Sequence, residues 1–216
     1  MDNEKLEVLR DQILSLTKEY FSEKNKDNSK FVPYISSIPV TGKVLNEEDI
    51  ANLVDSSLDA WLTAGRFTDE FEDALRKYLG VRHCLFVNSG SSANLLALSG
   101  LKILRDIPDG SEVITSAVNF PTTMNPIIQN NLVPILVDVE KNNYNINPEL
   151  IEEKITKKTV GIVLAHALGN PFELNKIVEI ANKYNLFLME DSCDAFGSTY
   201  DNKFVGTFGD VATLSF

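Results

Sequence analysis

Cysteine is nearly absent: Cys84 and Cys193, two in 216 residues, cannot build a disulfide framework, and a reducing cytoplasm is the compartment they imply. Basic residues are outnumbered, with 20 Lys and Arg against 31 Asp and Glu, a formal charge of −11 and no block of like charge. Such a field repels polyanions, which excludes a general nucleic-acid or membrane footprint. Any phosphate ligand must then be held by local dipoles and a few placed donors. Long apolar runs are also missing. Met1-Asp2-Asn3-Glu4-Lys5 has no signal-peptide core, and the longest apolar stretches are broken by His166 or by glycine well short of membrane-spanning length. No GxGxxG follows a strand-like run and no GxxxxGK occurs, so a dinucleotide fingerprint and a nucleoside-triphosphate P-loop both lack support. What is present, 44% hydrophobic and 24% charged residues, suffices for one large domain with a proper core and excludes disorder.

Leu6, Leu9, Ile13, Leu16 and Tyr20 recur at helical spacing, so residues 4–21 are expected to form an amphipathic helix that needs a partner surface. The polar run Ser22 to Lys30 reads as a link, which makes 1–30 a helix and linker and 31–216 the main body. A second helix is expected over Glu47 to Leu62, with Ile50, Leu53, Val54, Leu58 and Trp61 on one face, and a third over Asp69 to Leu79. From Cys84 onward, short apolar runs alternate with helical segments, the pattern of an α/β fold with a mainly parallel sheet flanked by helices. The runs are Leu85–Val87, Glu112–Thr115, Val133–Val137, Val160–Ala165 and Leu186–Met189. The intervening helices are expected at Ser91–Leu104, Thr122–Asn130, Pro148–Ile155 and Leu174–Tyr184. The Ser91 helix is apolar nearly all round and is expected deep in the body. Val211 to Phe216 looks like a buried strand with no turn signal after it, so the chain is expected to stop within a domain, without a following small domain.

Two segments could carry chemistry. Asn88-Ser89-Gly90-Ser91-Ser92-Ala93 joins an apolar run to a helix, offering backbone amides, hydroxyls and the positive end of the helix dipole to one phosphate. A side chain at Gly90 would hold the anion away or forbid the backbone angles that aim the amides. The plainer alternative makes Ser91 or Ser92 an N-cap only. Leu186-Phe187-Leu188-Met189 delivers Glu190 and Asp191 at a strand's carboxyl end, where open α/β sheets place ligands. Adjacent strand residues point to opposite sides, and Asp191 is the candidate for the inward one. An aspartate beside a pyridine nitrogen keeps it protonated and makes the ring an electron sink. Its alternative is a carboxylate capping the following turn.

A phosphate cradle, Phe120 after the next strand, and Asp191 late in the same sheet are the parts of a pyridoxal phosphate site. The chain resembles the fold type I enzymes of the DegT-type sugar aminotransferase superfamily over about Val40 to Phe216, and within it the CDP-4-keto-6-deoxyglucose 3-dehydrase branch. Six ordered blocks carry the resemblance: WLTAGRFT (61–68), SGSSANLLAL (89–98), NFPTTMNPIIQN (119–130), AHALGNPFEL (165–174), EDSCDAFGSTY (190–200) and GTFGDVATLSF (206–216). The resemblance implies Gly90, Ser91 and Ser92 as the phosphate turn, Phe120 as the ring-stacking aromatic, Asp191 as the carboxylate on the pyridine nitrogen and Ser215 as a further phosphate donor. It places His166 and Asn170 in a pocket-lining segment. The alternatives are a satisfied core histidine for His166 and a core aromatic for Phe120. Arg66 is a candidate donor to a substrate phosphate, or a surface salt-bridge residue.

Aminotransferase relatives usually carry Gln three positions after the aspartate, whereas Asp194 here matches the dehydrase pattern. In such dehydrases a cysteine at the place of Cys193 is implied as a [2Fe-2S] ligand, completed by cysteines further along; a lone cysteine is otherwise a small buried hydrophobe. The cofactor lysine, or the histidine that replaces it in dehydrases, falls five positions after the phosphate serine, four residues past Phe216. The implied activity is pyridoxamine phosphate-dependent C3 dehydration of a CDP-4-keto-6-deoxyhexose towards a 3,6-dideoxy sugar of surface polysaccharide, with electrons from an iron-sulfur flavin reductase and a homodimeric enzyme. Its rivals are a sugar aminotransferase and a non-catalytic relative of the fold.

Overall fold

In the computed structural model, which describes residues 3–26, 31–38, 42 and 44–216, the chain divides into two units, Met1–Asp73 and Ala74–Phe216. The division falls within a helix. In the first unit, α1 (Asn3–Lys24) extends the expected helix over Ser22, Glu23 and Lys24 of the expected link, Asn25 and Lys26 form a turn after it, and residues 27–30 lie outside the described residues. Its partner surface is α2 (Glu47–Leu58), reached through Arg10 to Asp55 at 2.5 Å and Lys18 to Glu48 at 2.7 Å. A capping box opens α2: Asn46 Oδ1 accepts from the Asp49 amide and Asp49 Oδ2 from the Asn46 amide. The helix stops at Leu58, short of Leu62, because Ala60 turns to φ 52° and the Trp61 indole donates to the Ala64 carbonyl at 2.8 Å. Trp61 thereby leaves the apolar face on which its spacing had set it. The next helix, α3 (Arg66–Leu79), begins three residues before its expected start at Asp69.

The second unit is built on five parallel strands, β1 (Glu112–Ser116), β2 (Val133–Val137), β3 (Thr159–Ala165), β4 (Phe187–Asp191) and β7 (Val211–Thr213), in the order β2-β1-β3-β4-β7. Around them lie α4 (Gly90–Leu104), α5 (Pro121–Gln129) and α6 (Leu174–Lys183), and a small hairpin pairs β5 (Thr199–Tyr200) with β6 (Lys203–Phe204). The two-residue period of the strands divides the core. Val113, Val163, Phe187 and Met189 pack with Leu98, Leu101 and Ile127 of α4 and α5, whereas Ile114, Ile162, Leu164 and Leu188 pack with Leu174, Ile177 and Ile180 of α6. Asp191, in phase with Phe187 and Met189, belongs to the α4/α5 side. Glu190 belongs to the other.

Four expectations are corrected. Leu85–Val87 lies outside the sheet, whose margins are β2 and β7, and Leu85 is 76% exposed. Pro148–Ile155 is two short 3-10 turns, Pro148–Leu150 and Glu152–Lys154, because Ile155 returns to extended backbone and the Thr156 amide donates to Thr159 Oγ1 at the entry to β3. The helix α4 is not deep on all sides: Asn94, Leu98 and Leu101 are buried, but Ile103 and Leu104 are 81% and 82% exposed. The last strand ends at Thr213, and Leu214 to Phe216 continue beyond it. Among the described residues, no helix is long and apolar enough to cross a membrane.

Candidate functional site

The parallel strands all end on one edge, and the turns that leave them bring together residues distant in sequence. Asp191 closes β4 and is 5% exposed. Its Oδ2 accepts from Asn94 Nδ2 of α4 at 2.8 Å and from Thr123 Oγ1 of α5 at 2.7 Å, while its Oδ1 accepts the Cys193 amide at 3.2 Å. Asn94 Oδ1 in turn accepts from Thr213 Oγ1 of β7 at 2.6 Å. Asn94, Thr123 and Thr213 are buried and were not found from sequence, although a lone amide inside the apolar run of α4 was a signal available to it.

Ser89 is the N-cap of α4, and its Oγ takes the Ser92 amide at 3.1 Å. Helix geometry leaves the preceding amides without intrahelical acceptors, and those of Gly90 and Ser91 have no acceptor among the described residues. Gly90 does not take a positive φ, so its smallness serves space and not backbone angle. A Cβ there would meet Ser215 Cβ at 2.9 Å, and Ser215 Oγ and Cys193 Sγ at 3.0 Å. The expected phosphate donors Gly90 and Ser215 are therefore neighbours, with Ser91 and Ser92 opening the same helix. Phe120, the N-cap residue of α5, stands one turn before Thr123 and is 69% exposed at the edge where Asp191 sits.

Cys193 completes the wall of this cradle. Burial, followed by the nearby Asp191 carboxylate, pushes its thiol up to about 12. Its Sγ faces Gly90 and Ser215, and Cys84, the one other cysteine of this sequence, cannot supply the three further ligands that a [2Fe-2S] cluster needs. Among the described residues, no group of three or more His, Cys, Asp or Glu could hold a metal ion.

His166 meets Asp191 only through the backbone, its amide donating to the Asp191 carbonyl at 3.1 Å, and its side chain is turned away from the Asp191 carboxylate. Two residues on from Leu164, its ring turns to the α6 side, stacks on Phe172 with centroids 4.2 Å apart, and meets Glu190 Oε2 through Nε2 at 3.2 Å. Glu190 also accepts the amides of Gly206, Phe208 and Gly209 at 2.7–2.8 Å. Burial alone raises the Glu190 carboxyl, but the His166 contact and the Gly209 and Gly206 amides together hold it below the ordinary range. The geometry thus makes His166 a core residue, half satisfied: Nε2 meets Glu190, while Nδ1 is buried without a partner among the described residues. Asn170 and Asp194 are exposed on the turns after β3 and β4; Asn145 Nδ2 donates to the Asn170 carbonyl at 3.0 Å, and the Asp194 carbonyl lies 2.8 Å from where a Cβ on Gly169 would stand. Arg66 belongs to the first unit, where it is a salt-bridge residue: it donates to Asp55 at 2.5 Å and to Asp59 at 2.9 Å. Hydrogen bonds from Arg66 hold Asp55, and from Arg10 hold Asp59, below the usual aspartate range.

The donor set fits the two ends of pyridoxal or pyridoxamine 5′-phosphate. Free amides, the hydroxyls of Ser91, Ser92 and Ser215 and a glycine whose Cβ would fill the cradle suit an ester phosphate. A buried carboxylate with one unfilled lone pair suits a protonated ring nitrogen, and an open aromatic face suits the ring plane.

Comparison with known proteins agrees. The chain is 49% identical over 212 residues to the lipopolysaccharide biosynthesis protein RfbH of Salmonella typhimurium, covering 96% of this chain and 48% of that protein. It is 46% identical to dTDP-4-dehydro-2,6-dideoxy-D-glucose 3-dehydratase of Saccharopolyspora spinosa, covering 96% and 45%. The Escherichia coli GDP-4-keto-6-deoxy-D-mannose-3-dehydratase, solved with bound hydrated PLP, superposes with a TM-score of 0.74 at 32% identity, covering 80% of this chain and 45% of that one. The chain thus spans about half the length of the curated relatives it matches. A model of the DegT/DnrJ/EryC1/StrS aminotransferase family matches residues 44–216, more than three quarters of the sequence, and the chain belongs to that family.

Proposed function

We propose that the full-length protein is a pyridoxamine phosphate-dependent dehydrase that removes the C3 hydroxyl of a nucleotide-linked 4-keto-6-deoxyhexose, with a CDP sugar as the form the sequence resemblance implies. The observation that carries this reading is the joint placement of Gly90, Ser215 and Asp191 at the ends of α4, β7 and β4. The amides of Gly90 and Ser91 and the hydroxyls of Ser91, Ser92 and Ser215 hold the phosphate. Phe120 fixes the ring plane, and Asp191 holds a proton at the ring nitrogen. When bound, the cofactor would supply an amine for the C4 ketone and a ring that takes up the electron pair left when a proton is removed from its C4′ carbon, the pair that then expels the C3 hydroxyl. The relatives named as 3-dehydratases, together with Asp194, favour dehydration over transamination. Two electrons are then needed for a 3,6-dideoxy sugar of surface polysaccharide, and a separate iron-sulfur flavin reductase is the source we assign, with no cluster on Cys193. Two copies are proposed to pair, the exposed Leu96, Ile103 and Leu104 face of α4 being available for burial. A monomer at micromolar concentration in sedimentation equilibrium would contradict the pairing.

The test incubates the full-length protein with pyridoxamine phosphate and CDP-4-keto-6-deoxyglucose. Loss of one water from the sugar, seen by mass spectrometry, is expected. Transfer of an amino group from glutamate to the ketosugar would instead establish the aminotransferase, and no change in cofactor absorbance on mixing would establish a non-catalytic relative.

A further inference from the structure

Three elements meet at the site, and each supplies one residue to the phosphate cradle and one to the buried acid. On α4 these are Gly90 and Asn94, one turn apart on the same face. At the end of β4 they are Cys193 and Asp191, and at the end of β7 Ser215 and Thr213, each pair two residues apart. Gly90, Cys193 and Ser215 converge in one layer. Asn94, Asp191 and Thr213 converge in the next, joined by hydrogen bonds of 2.6 and 2.8 Å, with Thr213 Oγ1 also 4.0 Å from Cys193 Sγ.

The inner layer has a direction. Thr213 Oγ1 donates to Asn94 Oδ1, which turns the amide nitrogen of Asn94 towards Asp191, an ionised carboxylate being able only to accept. Thr123 supplies the second donor to the same Oδ2. Both lone pairs of Oδ2 are therefore filled, while Oδ1 takes only the Cys193 amide. Burial removes water as a substitute partner: Asn94 is 1%, Thr123 0% and Thr213 4% exposed.

We propose that Asn94 and Thr213 are positioning residues that lock the Asp191 rotamer and leave Oδ1 as the oxygen that meets the cofactor's ring nitrogen. This rests on the functional reading above and deepens it. Without the Thr213 hydroxyl the Asn94 amide is free to rotate, its oxygen can face Asp191, and the acid loses both a donor and its aim. Because Thr213 shares its strand end with Ser215, and Asn94 its helix with Gly90, the same groups fix the span from phosphate to ring nitrogen.

The test loads the full-length protein with isotope-labelled pyridoxamine phosphate and follows the ring-nitrogen NMR resonance against pH in wild type, Thr213→Val, Thr213→Ser, Asn94→Leu and Asp191→Asn. Thr213→Val is isosteric, and Asn94→Leu is an independent second probe; thermal melts confirm that each is folded. In Thr213→Val and Asn94→Leu the ring-nitrogen midpoint is expected to fall by roughly one pH unit, with cofactor affinity roughly tenfold weaker. Thr213→Ser is expected to restore both. A purely structural role would lower the melting temperature and leave the midpoint where it is. Folded Thr213→Val and Asn94→Leu proteins with the wild-type midpoint overturn the inference while leaving the functional reading intact. A wild type that binds no cofactor, or one whose midpoint is unmoved by Asp191→Asn, overturns the functional reading and this inference with it.

Discussion

Gly90 and Ser215 meet with no room for a methyl group between them, although 125 residues separate them in the chain. The phosphate cradle is therefore a tertiary contact between a helix start and a strand end. Replacing Gly90 by Ala must displace Ser215 or Cys193. Overpacking of this kind costs about 1–3 kcal/mol. Pyridoxamine phosphate affinity of the full-length protein, read by fluorescence titration, is expected to fall roughly tenfold or more in Gly90→Ala. An unchanged affinity would show that the phosphate does not use this turn.

The buried Glu190 sets an acid limit on stability. Its carboxyl lies below the ordinary glutamate value of 4.5, so it contributes stability that is present above that value and lost as pH falls through the lower folded one. Glu190→Gln keeps the shape but presents an amide to some of the donors Gly206, Phe208 and Gly209. At neutral pH it is expected to cost about 3 kcal/mol in urea unfolding, and the loss of stability below the ordinary glutamate value is expected to flatten. An acid limb as steep as that of wild type would contradict the assignment.

Much of this fold is legible in the chain, because short Val, Ile and Leu runs bounded by turn residues specify β1 to β4 with few competitors. The two-residue strand period by itself also sends Asp191 and Glu190 to opposite faces. Applied from Leu164, the same parity would have sent His166 to the Glu190 side; its place in a motif shared with the family obscured this. Asn94, Thr123 and Thr213 escaped because their partners lie 97, 68 and 119 residues away, and no local pattern records such contacts. The β5–β6 hairpin was signalled by Asp201-Asn202, both with positive φ, but its two-residue strands are too short for alternation to show. Leu85–Val87 has the apolar character of a strand without a place in the sheet.

Cys193 is expected to resist alkylation. With its thiol near 12, the thiolate fraction at pH 8 is on the order of a hundred- to a thousandfold below that of an ordinary cysteine. Iodoacetamide treatment followed by peptide mass spectrometry should leave Cys193 unmodified in the folded protein and modify it in urea. Rapid stoichiometric labelling of the folded form at that pH would contradict the buried, protonated thiol.

Gly161 faces the ring of Phe187 in the β3–β4 register, and a Cβ on it would fall 2.2 Å from the ring edge. No rotation of a fully buried ring in the α4/α5 core relieves that overlap cheaply. Gly161→Ala is expected to destabilise by about 3 kcal/mol in urea unfolding. A variant as stable as wild type would mean that the strands separate there more easily than their register indicates.

The most direct measurement is a crystal structure of the full-length protein grown with pyridoxamine phosphate. The account predicts phosphate density against the Gly90 and Ser91 amides and the Ser215 hydroxyl, with the ring nitrogen on Asp191 Oδ1. A cofactor bound away from these groups, or a ring whose nitrogen faces solvent while Asp191 keeps only its protein partners, would contradict it.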